Sequence, residues 1–166
     1  MVIDGFSGLW CVNLGYGRQS IVDAVAAQMS RLPYATCFFN ESTEVMTRLA
    51  AKLAERLPGN LNHTMFTLGG SDADDTAMKI ALYYHAIRGE PSRQHVISLE
   101  GAYHGSSWAG AGLSGLPAMQ NLFGLPFPTQ HQIPSHYLRR LGDSTAPQAH
   151  IDAAVAALED KLRALG

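Results

Sequence analysis

Residues 68–75 have the sequence Leu-Gly-Gly-Ser-Asp-Ala-Asp-Asp, and this stretch decides the fold class of the chain. Before it, residues 63–68 alternate with the period of two that predicts a strand. After it, residues 72–88 are rich in Ala, Met, Ile and Leu and predict a helix. Glycine permits the sharp turn between them, because it adopts backbone conformations that other residues avoid. A strand that turns directly into a helix indicates an α/β protein with a mostly parallel sheet and packed helices.

The rest of the chain continues this alternation of strands and helices. Apolar spacing and turn residues predict two short strands within residues 2–13, helices over 18–30, 40–57 and 148–165, a strand over 94–99, and a glycine-rich loop over 101–115 that ends in a short helix. Asn40 or Ser42 is expected to cap the second helix, and the apolar stripe of that helix is expected to be buried. Four prolines within residues 116–142 exclude long regular elements there.

The composition excludes several classes of protein. The 166 residues carry a net charge of −2, with 46% hydrophobic and 16% charged residues. The chain can therefore build a core, and it has no Lys/Arg cluster of the kind that binds nucleic acid or an anionic membrane surface. No apolar run approaches the ~20 residues that a membrane span needs. Cys11 and Cys37 are too few for a metal quartet or a disulfide framework, so we expect free, buried thiols in a cytoplasmic protein.

The turn at residues 69–71 predicts an anion site. The first N–H groups of a helix have no partner within it and lie at the positive end of its dipole, so a phosphate group fits there, and Ser71 adds a hydroxyl donor. A capped turn, with Ser71 as N-cap and three aspartates in the first turn, is the alternative. The stretch is not a P-loop, since the lysine comes only at Lys79 and the acids would repel a triphosphate. A single small phosphate fits better.

Residues 70–79, Gly-Ser-Asp-Ala-Asp-Asp-Thr-Ala-Met-Lys, resemble the Gly-Ser-Glu-Ala-Asn-Asp/Glu-Thr-Ala-x-Lys signature of class III aminotransferases, which use pyridoxal 5′-phosphate (PLP). Three further segments are similar in order and spacing to the ω-amino acid:pyruvate transaminase branch of that family. They are Asp-Gly-x-x-Gly-Leu-Trp-Cys-Val-Asn-x-Gly-Tyr-Gly at 4–17, Thr-x-Phe-Phe-Asn at 36–40, and Gly-Ala-Tyr-His-Gly-Ser at 101–106. The resemblance covers nearly the whole chain.

The resemblance implies the fold-type I architecture of PLP enzymes, with part of the large α/β domain in this chain. Residues 1–40 would form N-terminal strands, a helix and a dimer-contact loop, and residues 41–166 a truncated PLP-binding domain, in a homodimer or higher homo-oligomer. Gly70 and Ser71 would hold the cofactor phosphate. The other implied site residues are Tyr103 against the pyridine ring, His104 in support of that loop, Trp10 as the wall of the substrate pocket, and Phe38 or Phe39 toward a neighbouring subunit's pocket.

The implied reaction transfers an amino group from an amine or ω-amino acid to a keto acid such as pyruvate. The family also needs a Schiff-base lysine, and none of Lys52, Lys79 and Lys161 matches its position, so no catalytic residue is assigned. We therefore expect a piece of a longer enzyme that is inactive alone. The alternatives are a non-catalytic fragment that retains only phosphate binding or self-association and, within the family, a mutase-like or decarboxylase-like relative.

Several features depart from the family or invite another interpretation. Asp74 stands where the family usually has a neutral Asn, and its charge is expected to weaken phosphate binding.

Residues 110–115 match Gly-x-Gly-x-x-Gly but lack the flanking strand and acid of a dinucleotide site, so we expect small residues for close helix packing. The seven histidines lack the spacing of metal ligands and are expected to be surface or hydrogen-bonded residues. Trp108 is expected in the core.

Overall fold

In residues 2–136 and 147–166, which are those that the computed structural model describes, the chain forms helices and one short parallel sheet. Two units are distinguished by their internal contacts, residues 1–64 (unit 1) and residues 65–166 (unit 2). Unit 1 contains α1 (Ser7–Trp10), α2 (Gln19–Arg31) and α3 (Glu44–Ala54). Unit 2 contains α4 (Gly70–Ile87), β1 (Val96–Leu99), α5 (Trp108–Leu113), α6 (Pro117–Gln120), β2 (Gln130–Ile133) and α7 (Pro147–Leu165).

The two strands predicted within residues 2–13 are wrong, because this segment folds into a tight turn. Ser7, Leu9 and Trp10 have positive φ angles, so α1 is a left-handed turn. The carboxylate of Asp4 accepts hydrogen bonds from the backbone N–H of Phe6 at 2.9 Å and of Gly8 at 2.8 Å, and from the Tyr16 hydroxyl at 3.0 Å. The bond from the Phe6 N–H, followed by that from Tyr16, holds the pKa of the Asp4 carboxyl below its usual value. These local bonds satisfy the backbone without a partner strand.

Helices α2 and α3 confirm the predicted helices, with a different cap for the second one. The N-cap of α3 is Thr43, whose side chain accepts a hydrogen bond from the Met46 N–H at 3.2 Å, whereas Asn40 adopts a left-handed φ of 63° before the helix begins. The predicted burial of the apolar stripe of the second helix is wrong, since α3 has no buried residue. Leu49, for example, lies on the surface of unit 1. Cys11 and Cys37 are free as predicted, but they are exposed rather than buried.

The sheet of unit 2 confirms the predicted α/β class with a parallel sheet. Strands β1 and β2 pair in parallel, with Val96 opposite Gln130 and Leu99 opposite Ile133, and the chain crosses between them through α5 and α6. The strand predicted over 63–68 is wrong, since no described residue pairs with that segment and Leu68 is fully exposed. Helices α4 and α7 and strand β1 lie within two residues of their predicted bounds.

Strand β2 was not predicted, because it lies in the proline-rich stretch and its sequence, Gln-His-Gln-Ile, has a single apolar residue. The expectation that this stretch holds no long element is confirmed for residues 116–136, where α6 and β2 have four residues each. Residues 137–142 of the stretch lie outside the described part of the chain. The core of unit 2 includes Ala111, Leu113 and Ile133, at the contact between α5 and β2.

Close packing around α5 explains the glycines of residues 110–115, as predicted. A Cβ atom at Gly110 would lie 2.5 Å from the His104 carbonyl oxygen, and one at Gly115 would lie 2.5 Å from the Leu99 carbonyl oxygen. The buried residues of α5 are Gly110, Ala111, Gly112 and Leu113, and Trp108 is not among them. Trp108 is accordingly 67% exposed, and its predicted place in the core is wrong.

Side-chain hydrogen bonds hold His85, His95 and His131, as predicted. His85 Nδ1 lies 2.8 Å from Glu90 Oε2, and His95 Nδ1 lies 2.9 Å from His131 Nε2. Burial, followed by the charges of Lys161 and His95, lowers the pKa of His131. Within the described ranges, no group of three or more His, Cys, Asp or Glu side chains could hold a metal ion. None of the helices in those ranges has the length and the apolar character needed to cross a membrane.

Candidate functional site

The N-terminus of α4 presents unpaired backbone N–H groups. The helix begins at Gly70, two residues before the predicted start, and its N-cap Gly69 has an extended backbone and no side chain to cap the helix. The first intrahelical bond of this end runs from the Ala73 N–H to the Gly69 carbonyl oxygen at 3.0 Å, so the N–H groups of the first three helical residues have no partner in the helix. They lie at the positive end of the dipole of an 18-residue helix.

The backbone at the start of this helix is not covered by neighbouring residues. A Cβ atom built at Gly69 or at Gly70 would meet no other described atom within 4 Å. The alternative of a turn capped by Ser71 is wrong, because Ser71 is the second residue of the helix and not its N-cap.

The loop at residues 101–107 packs against this helix end through Ser71. The Ser71 hydroxyl oxygen accepts a hydrogen bond from the Ser106 N–H at 3.0 Å. Gly105 approaches so closely that a Cβ atom there would lie 2.7 Å from that oxygen and 2.9 Å from the Ser71 Cα, and its φ of +113° is one that L side chains rarely adopt. Only glycine fits this contact without strain.

Ser114 holds the other side of the loop, and the sequence patterns gave no sign of it. Its side chain is fully buried; the hydroxyl oxygen accepts the His104 N–H at 2.9 Å, and the hydroxyl donates to the Gly110 carbonyl oxygen at 2.9 Å. The backbone of His104 is thereby fixed, while the adjacent residue Tyr103 is 63% exposed. The loop therefore presents an aromatic ring to its surroundings from a rigid backbone.

Asp75 is a second residue of this site that the sequence analysis missed, since it was considered only as a favourable acid in the first turn. Its Oδ1 atom accepts hydrogen bonds from the Ser107 hydroxyl at 2.8 Å and from the Gly110 N–H at 3.1 Å. Asp72 is exposed and Asp74 is half-buried. The three acids at the start of α4 thus differ: Asp75 carries a structural contact, whereas Asp72 and Asp74 add negative charge near the helix end.

The predicted pocket residues of unit 1 form local aromatic clusters. The rings of Trp10 and Phe6 meet edge-on with centroids 4.5 Å apart, and those of Phe38 and Phe39 do so at 5.1 Å. Trp10 also lines a surface pocket of about 380 Å³ together with Arg18. Their role in binding a substrate stays a prediction.

The fold and the site together comprise an α/β unit, a helix with an open N-terminus, and a loop held against that helix that carries an exposed aromatic residue. The family model of Aminotransferase class-III matches residues 1–164. The putrescine–pyruvate aminotransferase of Pseudomonas aeruginosa is 35% identical over 165 residues, which are 99% of this chain and 36% of that protein. The diaminobutyrate–2-oxoglutarate transaminase of Halomonas elongata is 36% identical over 142 residues, 85% of this chain and 30% of that protein.

Solved structures agree with these relatives. The crystal structure of a thermostable (S)-enantioselective omega-transaminase from Thermomicrobium roseum matches with a TM-score of 0.92 and 36% identity, over 99% of this chain and 37% of that one. The chain belongs to the class III aminotransferase family, whose enzymes are PLP-dependent and have the fold-type I architecture. It spans a little over a third of the length of these two matched proteins, the P. aeruginosa enzyme and the T. roseum structure.

Proposed function

We propose that this chain supplies the phosphate-binding and ring-facing part of a PLP-dependent transaminase. The observation that carries the proposal is the open N-terminus of α4, where the Ser71 hydroxyl is held in place by the Ser106 N–H. The residues present fit the cofactor, since a phosphate dianion needs N–H and O–H donors and a pyridine ring needs a flat apolar neighbour. PLP, when bound, supplies the electron sink for the carbanion chemistry of amino-group transfer.

Gly70 and Ser71 bind the phosphate in this proposal. Their N–H groups donate to its oxygens, and the helix dipole favours the negative charge. A hydroxyl group has one hydrogen to donate and lone pairs to accept with. Because the Ser71 oxygen already accepts the Ser106 N–H at 3.0 Å, its hydrogen is free to point toward the phosphate. The contact thus orients Ser71 as a donor.

Tyr103 orients the pyridine ring. An aromatic side chain restricts the tilt of a ring stacked on it at little cost in conformational entropy, because it has few rotatable bonds. The loop behind Tyr103 is fixed by the bond from the His104 N–H to Ser114 Oγ. Phosphate and ring are thereby held by two segments of one unit, which fixes the orientation that the chemistry requires.

The substrates proposed are an amine or ω-amino acid as donor and a keto acid such as pyruvate as acceptor. Support comes from the relative whose name gives putrescine and pyruvate, which matches 99% of this chain. Another relative is named for 2-oxoglutarate, so the keto acid acceptor is proposed less specifically than the amine donor. The aromatic residues Trp10, Phe38 and Phe39 suit an apolar amine, and the proposed assembly is a homodimer or higher homo-oligomer.

A non-catalytic role is the second candidate for the 166 residues by themselves. Lys52, Lys79 and Lys161 lie within the helices α3, α4 and α7, and none of them is part of the loop that faces the phosphate site. With no lysine placed to bind the cofactor covalently, the chain alone would bind PLP through its phosphate and ring without turning over an amine.

Titration with PLP tests the proposed function. We expect saturable quenching of protein fluorescence, reversed by inorganic phosphate, because both ligands compete for the N–H groups of Gly70 and Ser71. An assay of the same chain with an amine, pyruvate and PLP is expected to form no alanine. Absence of saturable PLP binding would contradict the proposed function, and turnover by the chain alone would refute the non-catalytic candidate.

Replacing Asp74 with asparagine is expected to strengthen phosphate binding. The change removes a negative charge from the early part of α4, and a charge near a helix end changes the interaction by about 0.3–1 kcal/mol, or about two- to fivefold in affinity. Calorimetric titration with inorganic phosphate at low ionic strength measures the effect, and the difference should shrink at high salt as screening increases. Weaker binding by Asp74→Asn would show that this side chain contributes a contact instead of repulsion.

A further inference from the structure

We propose that Asp75 of α4 is a positioning residue for the cofactor ring. Its carboxylate does not bind the phosphate. It ties the helix that carries the phosphate site to the loop that carries Tyr103. This inference rests on the proposed function, because it assigns to Asp75 the relative placement of the two halves of the PLP site.

The contact joins two elements through a single carboxylate oxygen. Asp75 Oδ1 accepts the Ser107 hydroxyl at 2.8 Å and the Gly110 N–H at 3.1 Å. Ser107 is the N-cap of α5, and its own hydroxyl oxygen accepts the Gly110 N–H at 3.3 Å. A side chain of α4 therefore caps α5 together with the cap residue of α5. Hydrogen bonds to a charged acceptor are about twice as strong as neutral ones.

Asp75 and Ser71 lie four residues apart in α4 and thus on the same face of the helix. Ser71 binds Ser106 at 3.0 Å, and Asp75 binds its neighbour Ser107, so two successive residues of the loop are held by two successive turns of one helix. Ser114 already holds the loop at His104, and Ser71 alone would connect it to α4 through one hydrogen bond only. The Asp75 contact adds a second connection to α4 and fixes the loop, with Tyr103 on it, relative to the N–H groups of Gly70 and Ser71.

Charge and position predict opposite results for the loss of this side chain. If Asp75 acted only through its negative charge, removing it would strengthen the binding of any phosphate, as expected for Asp74. If it positions the loop, removing it weakens the binding of a ligand that needs both the phosphate donors and the ring of Tyr103. The binding of a ligand that needs only the phosphate donors is then not weakened. PLP and inorganic phosphate are two such ligands.

The experiment measures the dissociation constants of PLP and of inorganic phosphate for the wild-type protein and for Asp75→Ala, Asp75→Asn and Asp74→Ala. We expect Asp75→Ala to weaken PLP binding about tenfold, as for the loss of hydrogen bonds to a charged group, and to leave inorganic phosphate equal or tighter. Asp75→Asn keeps an oxygen acceptor and is expected to restore most of the PLP affinity. Asp74→Ala removes the same charge in the same turn and is expected to tighten both ligands.

Three results would overturn the inference: PLP binding unchanged or tighter in Asp75→Ala, equal loss of both ligands, or no difference between the Ala and Asn variants. If Asp75→Ala does not fold, Ser107→Ala removes the hydroxyl donor of the contact from the other side. It is then expected to weaken PLP binding selectively, and unchanged PLP affinity in that variant would overturn the inference. Failure of the wild-type protein to bind PLP would instead refute the proposed function, and the two failures are thereby distinguished.

Discussion

Gly105→Ala is expected to lower the affinity for PLP about a hundredfold. The new methyl group would lie 2.7 Å from the Ser71 hydroxyl oxygen and 2.9 Å from its Cα, at a φ of +113°. The unfavourable backbone conformation costs about 1–2 kcal/mol and the overpacking about 1–3 kcal/mol, and relief requires that the loop move away from α4. Such a movement breaks the bond from the Ser106 N–H to Ser71 and displaces Tyr103. Fluorescence titration with PLP measures the loss.

Gly89→Ala is the matched control for this variant. Gly89 follows the other end of α4, has a φ of +78°, and a Cβ atom there would meet no atom within 4 Å. The control thus carries backbone strain without the clash, so it should lower stability by about 1 kcal/mol and leave PLP affinity within about twofold of wild type. Equal PLP affinity of Gly105→Ala and Gly89→Ala would show that the loop does not need its close contact with Ser71.

Tyr103→Ala is expected to weaken PLP binding about thirtyfold while leaving the affinity for inorganic phosphate unchanged. The change removes the stacked ring, whose burial and ring–ring contact together contribute about 2 kcal/mol. Since Tyr103 is 63% exposed, loss of its ring should hardly alter the stability of the chain. Thermal unfolding in the absence of ligand and titration with both ligands measure the two effects separately.

Two further variants define what Tyr103 contributes. Tyr103→Phe keeps the ring and should bind PLP nearly as well as wild type, because stacking does not use the hydroxyl. Tyr83→Ala removes a tyrosine of α4 that is 68% exposed and should leave PLP affinity unchanged. If Tyr103→Ala bound PLP as tightly as Tyr83→Ala does, the ring would not contact the cofactor.

The long helices and the α/β class were predictable because they depend on local patterns. The apolar spacing of α4 and α7 is long and regular, and the glycines at 69 and 70 mark the turn that starts α4. Strand β1 has four residues in which three are aliphatic, which is typical of a buried parallel strand. In each case the signal lies in the residues that form the element.

The elements that were missed depend on contacts between distant residues. Strand β2 has one apolar residue, and its place is decided by pairing with β1, which lies more than thirty positions earlier. The N-terminal segment resembled strands, but the Asp4 carboxylate folds it into a turn through three hydrogen bonds. Secondary-structure propensity alone does not predict side-chain hydrogen bonds that compete with strand pairing.

The same distinction applies to the site. The Gly70–Ser71 turn was predictable, since the anion-binding property of a helix N-terminus follows from its own backbone. Asp75 and Ser114 were not, because their partners are 32 and 10 residues away, respectively. Aspartate and serine are common in helices and loops, so the role of Asp75 and Ser114 becomes visible only when the fold brings their hydrogen-bond partners into contact with them.

The crystal structure of the protein soaked with PLP tests the central claim most directly. We predict that phosphate oxygens lie about 3 Å from the amide nitrogens of Gly70 and Ser71 and from the Ser71 hydroxyl, with the pyridine ring facing Tyr103. Cofactor density at another place, or a phosphate at the start of α4 with the ring turned away from Tyr103, would contradict it.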